Sequence, residues 1–220
     1  MELMEAITVR HSVRSYSDKA IEPEKKQVLT EKIEEINAQS GLHIQLICDE
    51  PKAFNGFMAH YGKFSGVSNY FALIGKKSGD LSEKCGYYGE QLVLLAQQLG
   101  LNTCWVAMTY SKVKSAYQID VGEKLVIVIS LGYGNTQGVA HKSKAAADVS
   151  NADMQTDWFS KGVNAALLAP TAMNQQKFRF EKKGDKVTAT AGTGFYSKID
   201  LGIAKLHFEI GAGKENFKWA

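Results

Sequence analysis

The sequence RHSVRSY at residues 10–16 follows a short amphipathic stretch at residues 3–7. Arg10, Ser12 and Arg14 alternate along this heptapeptide, so an extended backbone would direct all three side chains to one side. Two guanidinium groups and a hydroxyl on one side favour an anion such as a phosphate monoester. The alternative interpretation is a serine-rich turn with exposed surface arginines, which spacing alone favours, so the rest of the chain has to decide between the two.

The amino-acid composition excludes several classes of protein. The 220-residue chain has 45% hydrophobic residues, enough for one sizeable core, and a net charge of +3. The charges are spread along the length, so we expect neither a nucleic-acid surface nor a membrane surface. Cys48, Cys85 and Cys104 form no CxxC pair, which indicates a reducing cytoplasm rather than a disulfide framework or a zinc site. The N-terminus lacks a signal sequence, so a cytoplasmic protein is expected.

Hydrophobic periodicity predicts alternating helices and strands in the first part of the chain. Pro23 suits the first turn of a helix, and Gly41 suits its end. The remaining pattern predicts strands at 44–48, 70–75, 103–107 and 125–131, and helices at 83–99 and 111–117. The Gly-, Ala- and Lys-rich residues that follow are predicted to form a long loop at 132–153.

A second group of elements follows this loop. A helix is predicted at 159–168, before Pro170, and a second helix at 197–210. Between them, Gly184 and Asp185 separate two strand-like runs, which predicts a hairpin. The terminal residues 216–219 are expected to add an edge strand.

Several catalytic classes are not supported by the sequence. It contains no GxxxxGK[ST] phosphate loop, no HExxH, no GxSxG and no GxGxxG that follows a strand. Phosphate-loop, zinc-hydrolase, serine-hydrolase and Rossmann interpretations therefore lack their defining residues, and no metal site is expected.

Four segments resemble the FMN-dependent nitroreductase family. RHSVRSY at 10–16 resembles its FMN-phosphate motif, and APTAMNQQ at 169–176 resembles its APSxxNxQ flavin loop. LGLNTCWVA at 99–107 resembles its helix-to-strand element, and SLGYG at 130–134 its terminal strand. The resemblance implies an α+β fold with a mixed, largely antiparallel sheet flanked by helices.

The resemblance also implies which residues bind FMN. Arg10, His11, Ser12 and Arg14 would bind the phosphate and ribityl groups. The flavin loop would line the isoalloxazine ring with Pro170, Thr171, Ala172, Met173, Asn174 and Gln176. Lys142 and Lys144 match a late basic pair of the family that reaches the phosphate, and the alternative for both is a solvated loop.

The order of the motifs departs from that of ordinary family members, in which the flavin loop comes soon after the arginine motif. Here the loop comes only near residue 170, and IDLGIAKLHFEIG at 199–211 resembles GYYGEQLVLLAQQLG at 86–100. Residues 1–150 are thus interpreted as a nitroreductase-like section with the phosphate motif, and residues 151–220 as a partial second copy with the flavin loop. An internal pseudo-dimer that is monomeric in solution is favoured, and a homodimer is the alternative.

The activity implied by the resemblance is that of an FMN-dependent oxidoreductase. Electrons would pass from NADH or NADPH to a small organic acceptor such as a nitroaromatic, a quinone or a flavin. No side chain is expected to be catalytic, because the flavin carries the chemistry. Ala107 and Met108 replace an acidic residue and a glycine common in the family, which favours the alternative of an FMN-binding carrier or sensor without efficient turnover.

Overall fold

The protein is described by a computed structural model that covers residues 1–151 and 155–220. The chain divides into two compact units. The four-stranded unit comprises Arg10–Leu81 and Leu92–Val139, and the three-stranded unit comprises Met1–Val9, Ser82–Gln91 and Ala140–Ala220. Both units combine helices with a β-sheet.

The sheet of the four-stranded unit has the strand order β1-β2-β4-β3, and each neighbouring pair is antiparallel. Its strands are β1 (Gln45–Ile47), β2 (Asn69–Lys76), β3 (Asn102–Val106) and β4 (Glu123–Gly132). Strand β2 lies inside the sheet, and its first seven residues are buried. This burial on both faces explains why the sequence of β2 is apolar almost throughout.

Helices α2 (Pro23–Ser40), α3 (Phe57–Tyr61) and the later part of α4 (Leu81–Gln98) belong to the same unit. Helix α2 buries Leu29, Ile33 and Ile36, which share one face at helical spacing. It ends at Gly41, which has the left-handed φ of 69° and donates its N–H to the Asn37 carbonyl.

Aromatic side chains form much of the core beside this sheet. The Phe54 ring lies 5.3 Å from the Phe64 ring and 5.9 Å from the Tyr70 ring, centroid to centroid. These spacings are typical of packed aromatic pairs. Val13 and Tyr16 of the arginine-containing segment belong to the same buried cluster, which anchors that segment to the core.

The three-stranded unit contains helices α1 (Leu3–Val9), α5 (Ala146–Val149), α6 (Asp157–Ala166) and α7 (Ser197–Ala212), with the early part of α4. Its strands β5 (Phe178–Lys183), β6 (Lys186–Ala191) and β7 (Lys218–Trp219) lie in that order in the sheet. Strands β5 and β6 form an antiparallel hairpin, and β7 pairs with β6 in parallel.

Helix α7 is the centre of this unit. Its Phe208 ring stacks on Phe180 of β5 with centroids 4.6 Å apart. On its other side, the buried His207 ring contacts a Glu90 oxygen of α4 at 2.9 Å through Nε2 and the Ala165 carbonyl at 3.2 Å through Nδ1. Since a carbonyl only accepts hydrogen bonds, Nδ1 carries a proton.

Two glycines allow α4 and α7 to approach closely. A Cβ atom on Gly86 would overlap the carbonyl oxygen of Ile199, and a Cβ atom on Gly202 would overlap that of Glu83. Each glycine thus faces the residue three positions before the other glycine. The two helices therefore pack backbone to backbone at this point.

Most of the predicted elements are confirmed, as is the largely antiparallel α+β class. The helix predicted at 111–117 is wrong, since these residues form turns. The Ser111 N–H donates to the Ala53 carbonyl at 2.7 Å, and Val113 and Ala116 pack against the core. Contacts with the rest of the unit therefore override the helical pattern.

Two further expectations concern the long loop and the division of the chain into two sections. The loop predicted at 132–153 contains the short helix α5, and its last two residues lie outside the described part of the chain. The predicted sections, 1–150 and 151–220, do not coincide with the two compact units, because α1 and residues 82–91 of α4 pack with α7. The internal duplication itself stays a prediction.

Within the described residues, every helix is too short or too polar to cross a lipid bilayer.

Candidate functional site

The arginine segment, residues 10–17, is extended and held by backbone hydrogen bonds. Val13 N–H donates to the Thr103 carbonyl of β3 at 3.0 Å, and a bridge joins Ser12 to Thr103. Farther along, Ser65 N–H donates to the Arg14 carbonyl at 2.9 Å. The segment therefore lies beside β3 with its backbone fixed on two sides.

The extended backbone produces the alternation that the sequence predicts. Val13 is buried in the core, whereas Arg10, Ser12 and Arg14 all act on the thiol of Cys104. Burial raises the pKa of this thiol. The positive charges of Arg14 and Arg10 act to lower the pKa, and so does a hydrogen bond from Ser12. Both guanidinium groups and the hydroxyl therefore influence one buried thiol of the four-stranded unit.

Exposure differs among the predicted phosphate-binding residues. Arg10 is 3% exposed, His11 and Ser12 are half-buried, and Arg14 is exposed. The Arg14 guanidinium also lies over the Phe64 ring, 5.9 Å from its centroid. The cluster therefore combines one buried cation with one cation that solvent or a ligand can reach.

Tyr16 and Gly66 fix the end of the arginine segment. The Tyr16 hydroxyl donates to the Val13 carbonyl at 2.7 Å and lies 2.8 Å from the Ser130 hydroxyl. Burial raises the pKa of Tyr16 well above its ordinary value, so the phenol stays neutral. Gly66 has a left-handed φ of 69°, and a Cβ atom there would overlap the Tyr16 carbonyl oxygen.

The predicted flavin loop, residues 169–176, lies in the three-stranded unit and has an unusual backbone. Ala172–Asn174 form one 3₁₀ turn, and Met173, Asn174 and Gln176 have φ values of 52°, 52° and 45°. Left-handed conformations are costly for residues other than glycine, at about 1–3 kcal/mol each, and persist only where neighbouring contacts enforce them. Pro170 and Gln176 are buried, and Met173 and Asn174 are exposed.

The segment that contains Lys142 and Lys144 is hydrogen-bonded to the flavin loop. The Asn174 and Gln176 amide groups both donate to the Lys142 carbonyl, at 2.8 and 2.9 Å. The Gln176 side-chain oxygen accepts from Lys144 N–H at 2.9 Å, and the Lys144 ammonium donates to the Gln176 carbonyl at 3.1 Å. Lys142 and Asn174 lie 32 residues apart in the sequence, and the structure joins their two segments.

Asp200 of α7 holds the flavin loop from another side. One carboxylate oxygen accepts from Ala172 N–H at 3.0 Å, and the other accepts from the Gln175 amide at 2.8 Å. Gln175 also donates to the Phe195 carbonyl at 2.6 Å. Burial raises the pKa of Asp200 to about 6, although both hydrogen bonds act to lower it.

Sequence reasoning missed Asp200. The available signal is an acidic residue inside the apolar run IDLGI, where an amphipathic helix would otherwise place a hydrophobic side chain. A buried carboxylate needs hydrogen-bond partners, but the sequence does not show that they lie in the flavin loop.

One further cluster in the four-stranded unit has residue types that bind metals. His43, Asp120 and Glu123 offer ligand atoms within 4.8 Å of one another. Gln45 accepts from Gln118 N–H through its oxygen, so its amide nitrogen donates to His43 Nε2 at 3.1 Å. The proton of His43 then lies on Nδ1, which donates to Glu123 at 2.8 Å. Both ring nitrogens are thus used in hydrogen bonds, which disfavours a metal ligand at His43.

Solved structures share this architecture. A protein described as a putative nitroreductase from Thermotoga maritima is 22% identical, with a TM-score of 0.70 over 98% of this chain and 85% of that one. One described as a putative nitroreductase in complex with FMN, from Desulfovibrio desulfuricans, is 16% identical, with a TM-score of 0.53 over 68% of this chain and 95% of that one. The chain therefore has the nitroreductase fold.

The sequence profile of the family described as "Putative TM nitroreductase" matches residues 2–212. The chain belongs to this family, and hence to the nitroreductase class of oxidoreductases. No curated protein matches the chain.

Proposed function

We propose that this protein binds FMN and passes electrons from NADH or NADPH to a small organic acceptor. The observation that carries the proposal is the arginine segment, whose extended backbone is fixed beside β3 and whose Arg10, Ser12 and Arg14 side chains all influence the Cys104 thiol. Membership of a nitroreductase family supports the same activity. The Desulfovibrio desulfuricans relative, whose fold is similar, was solved in complex with FMN.

The arginine segment suits the phosphate of FMN by its chemistry. A phosphate monoester carries about two negative charges near neutral pH and has three strong acceptor oxygens. Arg10 and Arg14 would supply charge-assisted hydrogen bonds, and the Ser12 hydroxyl and His11 would supply further donors. A terminal phosphate, rather than the pyrophosphate of FAD, matches this short segment, since the sequence has no dinucleotide fingerprint.

The flavin loop suits contacts with a planar polar ring. Its exposed residues Met173 and Asn174 would offer an apolar surface and an amide, and Gln176 would keep their backbone in place from its buried position. Lys142 would add a positive charge from its exposed side chain. The Lys144 ammonium donates to the Gln176 carbonyl, so its contribution to phosphate binding would be smaller.

When bound, FMN would supply the redox chemistry by accepting a hydride and passing electrons to the acceptor. The chain would bind and orient the cofactor, and no side chain of the two segments has to act as an acid or base. A nitroaromatic, a quinone or a free flavin would serve as acceptor.

The test is reconstitution of the full chain with FMN, followed by anaerobic mixing with NADH or NADPH. We expect a one-to-one flavin complex whose visible absorbance bleaches rapidly and returns when a quinone or nitroaromatic is added. Slow bleaching without turnover would instead indicate an FMN-binding carrier or sensor, as the residues Ala107 and Met108 would allow. Failure to bind FMN, or a preference for FAD, would contradict the proposal.

The same proposal includes the assembly of the chain as an internal pseudo-dimer, with residues 151–220 as the partial second copy. Its support is the reciprocal contact of α4 and α7. Gly86 faces Ile199 and Gly202 faces Glu83, so the two helices exchange equivalent contacts, as helices related by a two-fold axis do. One chain would then act as a monomer with one FMN.

A further inference from the structure

The flavin loop needs contacts from outside itself to keep its conformation. Met173, Asn174 and Gln176 all have left-handed backbone angles. Such angles persist only where surrounding contacts enforce them. The hydrogen bonds from the Lys142–Lys144 segment hold the second half of the loop, at Asn174 and Gln176. The first half is held by a different group.

That group is the carboxylate of Asp200. It lies in the first turn of α7 and is 3% exposed. Its two oxygens accept from Ala172 N–H, at the start of the turn, and from the Gln175 amide, directly after it. The two contacts therefore bracket Met173 and Asn174, which are the exposed residues of the loop.

We propose that Asp200 is a positioning residue that fixes the flavin loop for ligand binding, and that it does so only while its carboxylate is ionised. The proposal rests on the proposed function for the identity of the ligand, whereas the effect of Asp200 on the loop concerns the protein alone.

The reason lies in the hydrogen-bond chemistry of the two partners. Ala172 N–H and the Gln175 amide are both donors, and an ionised carboxylate can accept from both. A protonated carboxyl group carries an O–H donor on one oxygen, and this oxygen is a much weaker acceptor than the oxygens of a carboxylate, so its hydrogen bond to one of these partners weakens. Protonation therefore loosens one side of the turn. Because burial raises the pKa of Asp200 to about 6, this loosening falls within a pH range that the folded chain can be tested in.

The groups that face the Asp200 carboxyl are neutral, and its pKa responds to burial and to these two hydrogen bonds. Charged residues on α7 and the elements packed against it have other partners or are exposed. They include Lys205 with Glu83, His207 with Glu90, Glu209 with Lys214, Lys161 with Asp157, Arg179 with Glu181, Lys182 over the Trp158 ring, and the exposed Glu5, Lys183, Lys186, Lys198 and Glu215.

The first experiment uses the flavin-free full chain. Nitrogen-15 NMR would follow the Ala172 backbone amide and the Gln175 side-chain amide from about pH 5 to about pH 8. We expect both signals to titrate together with a midpoint near pH 6 in the natural sequence and to stay flat in Asp200→Asn. The hydrogen bond from Gln175 lowers the pKa of Asp200, and the Gln175→Ala variant loses this bond. The pKa of Asp200 should therefore rise, and the midpoint of the Ala172 signal should move to higher pH.

The second experiment measures binding of riboflavin, which lacks the phosphate that itself titrates near pH 6. For the natural sequence, affinity should fall several-fold as the pH decreases through about 6, in step with the NMR midpoint. Asp200→Asn should bind about tenfold more weakly at high pH, with no such pH dependence. Asp185→Asn, at the exposed hairpin turn, is the matched control and should behave as the natural sequence does.

The outcomes separate this inference from the proposed function. If the Ala172 and Gln175 signals do not respond to pH, or if Asp200→Asn keeps the natural pH profile, the positioning role is wrong. If the signals titrate as expected but neither riboflavin nor FMN binds, Asp200 still positions the loop and the proposed function fails. If Asp200→Asn does not fold, the Gln175→Ala variant is the test. A higher Ala172 midpoint in this variant supports the positioning role, and an unchanged or lower midpoint contradicts it.

Discussion

At the residue scale, the arginine segment combines a buried guanidinium, Arg10, with an exposed one, Arg14, and both act on the same thiol. The backbone beneath them is held by hydrogen bonds to β3 and to Ser65, so the spacing of the two residues along the segment is fixed by the protein. Such preorganisation reduces the ordering cost of binding an anion.

We therefore predict that Arg10→Ala and Arg14→Ala each weaken FMN binding about tenfold to a hundredfold, since a hydrogen bond to a charged group contributes about 1.5–3 kcal/mol. Quenching of flavin fluorescence would measure the affinity. Arg179→Ala is the control, because Arg179 is exposed on β5 and pairs with Glu181. Equal affinities of all three variants would show that the phosphate does not bind at this segment.

A second residue-scale prediction concerns Gly66. Gly66→Ala should lower the free energy of unfolding by about 1–2 kcal/mol for its left-handed backbone, and by about 1–3 kcal/mol more for the overlap with Tyr16. Gly184→Ala is the matched control, since Gly184 has a φ of 64° and no atom within 4 Å of a built Cβ. It should show the backbone cost alone. Urea denaturation would measure both, and equal losses would mean that the contact with Tyr16 is unimportant.

The sequence predicts only part of the site at this scale. The alternation of Arg10, Ser12 and Arg14 is visible in one short segment, and the extended backbone needed to align them is present. The Asp200 carboxylate accepts a hydrogen bond from the N–H of Ala172, which lies 28 residues away in the sequence. The Gln176 side chain accepts one from the N–H of Lys144, which lies 32 residues away. Side-chain contacts at such separations depend on how helices and loops pack, which local spacing does not encode.

At the scale of elements, long periodic segments were predictable, whereas one short helical pattern was misleading. Helix α2, strand β2 and the β5-β6 hairpin follow directly from apolar spacing and turn residues. The segment at 111–117 has a helical pattern but forms turns, because its backbone and side chains are bound by Ala53 and the core. An isolated helix of seven residues is too short to resist such contacts.

The close packing of α4 on α7 predicts that replacing a glycine inside a helix by alanine lowers the free energy of unfolding, the reverse of the usual effect. In an isolated helix Gly202→Ala would be stabilising by about 1 kcal/mol. Here a Cβ atom would overlap the Glu83 carbonyl, so we expect a net destabilisation of about 1–3 kcal/mol. Lys198→Ala, at an exposed position of α7, should stay within about 0.5 kcal/mol of the natural sequence. A stabilised Gly202→Ala variant, measured by thermal unfolding, would show that the helices can separate without cost.

At the scale of the whole molecule, the question is how many chains complete one flavin site. RHSVRSY and APTAMNQQ each occur once in the sequence, so a monomer would hold one flavin. We predict a one-to-one FMN ratio and an affinity that does not change on dilution. Light scattering and flavin titration over a range of protein concentrations would test this.

A homodimer would behave differently in the same experiment. If assembly of two chains completed the site, binding and association would be linked, and the apparent FMN affinity would fall as the protein is diluted. A concentration-dependent affinity together with a dimer mass would therefore contradict the internal pseudo-dimer.

The reciprocal glycines at the α4-α7 crossing have a consequence for how the protein can change over time. Gly86 and Gly202 each face the backbone of the other helix. The distance between the two helices at this point therefore depends on both glycines. A side chain gained at either position forces the helices apart and leaves the second glycine facing a gap. We therefore expect the two sites to covary among related proteins, with both kept as glycine or both replaced together, and relatives with only one of them should be rare.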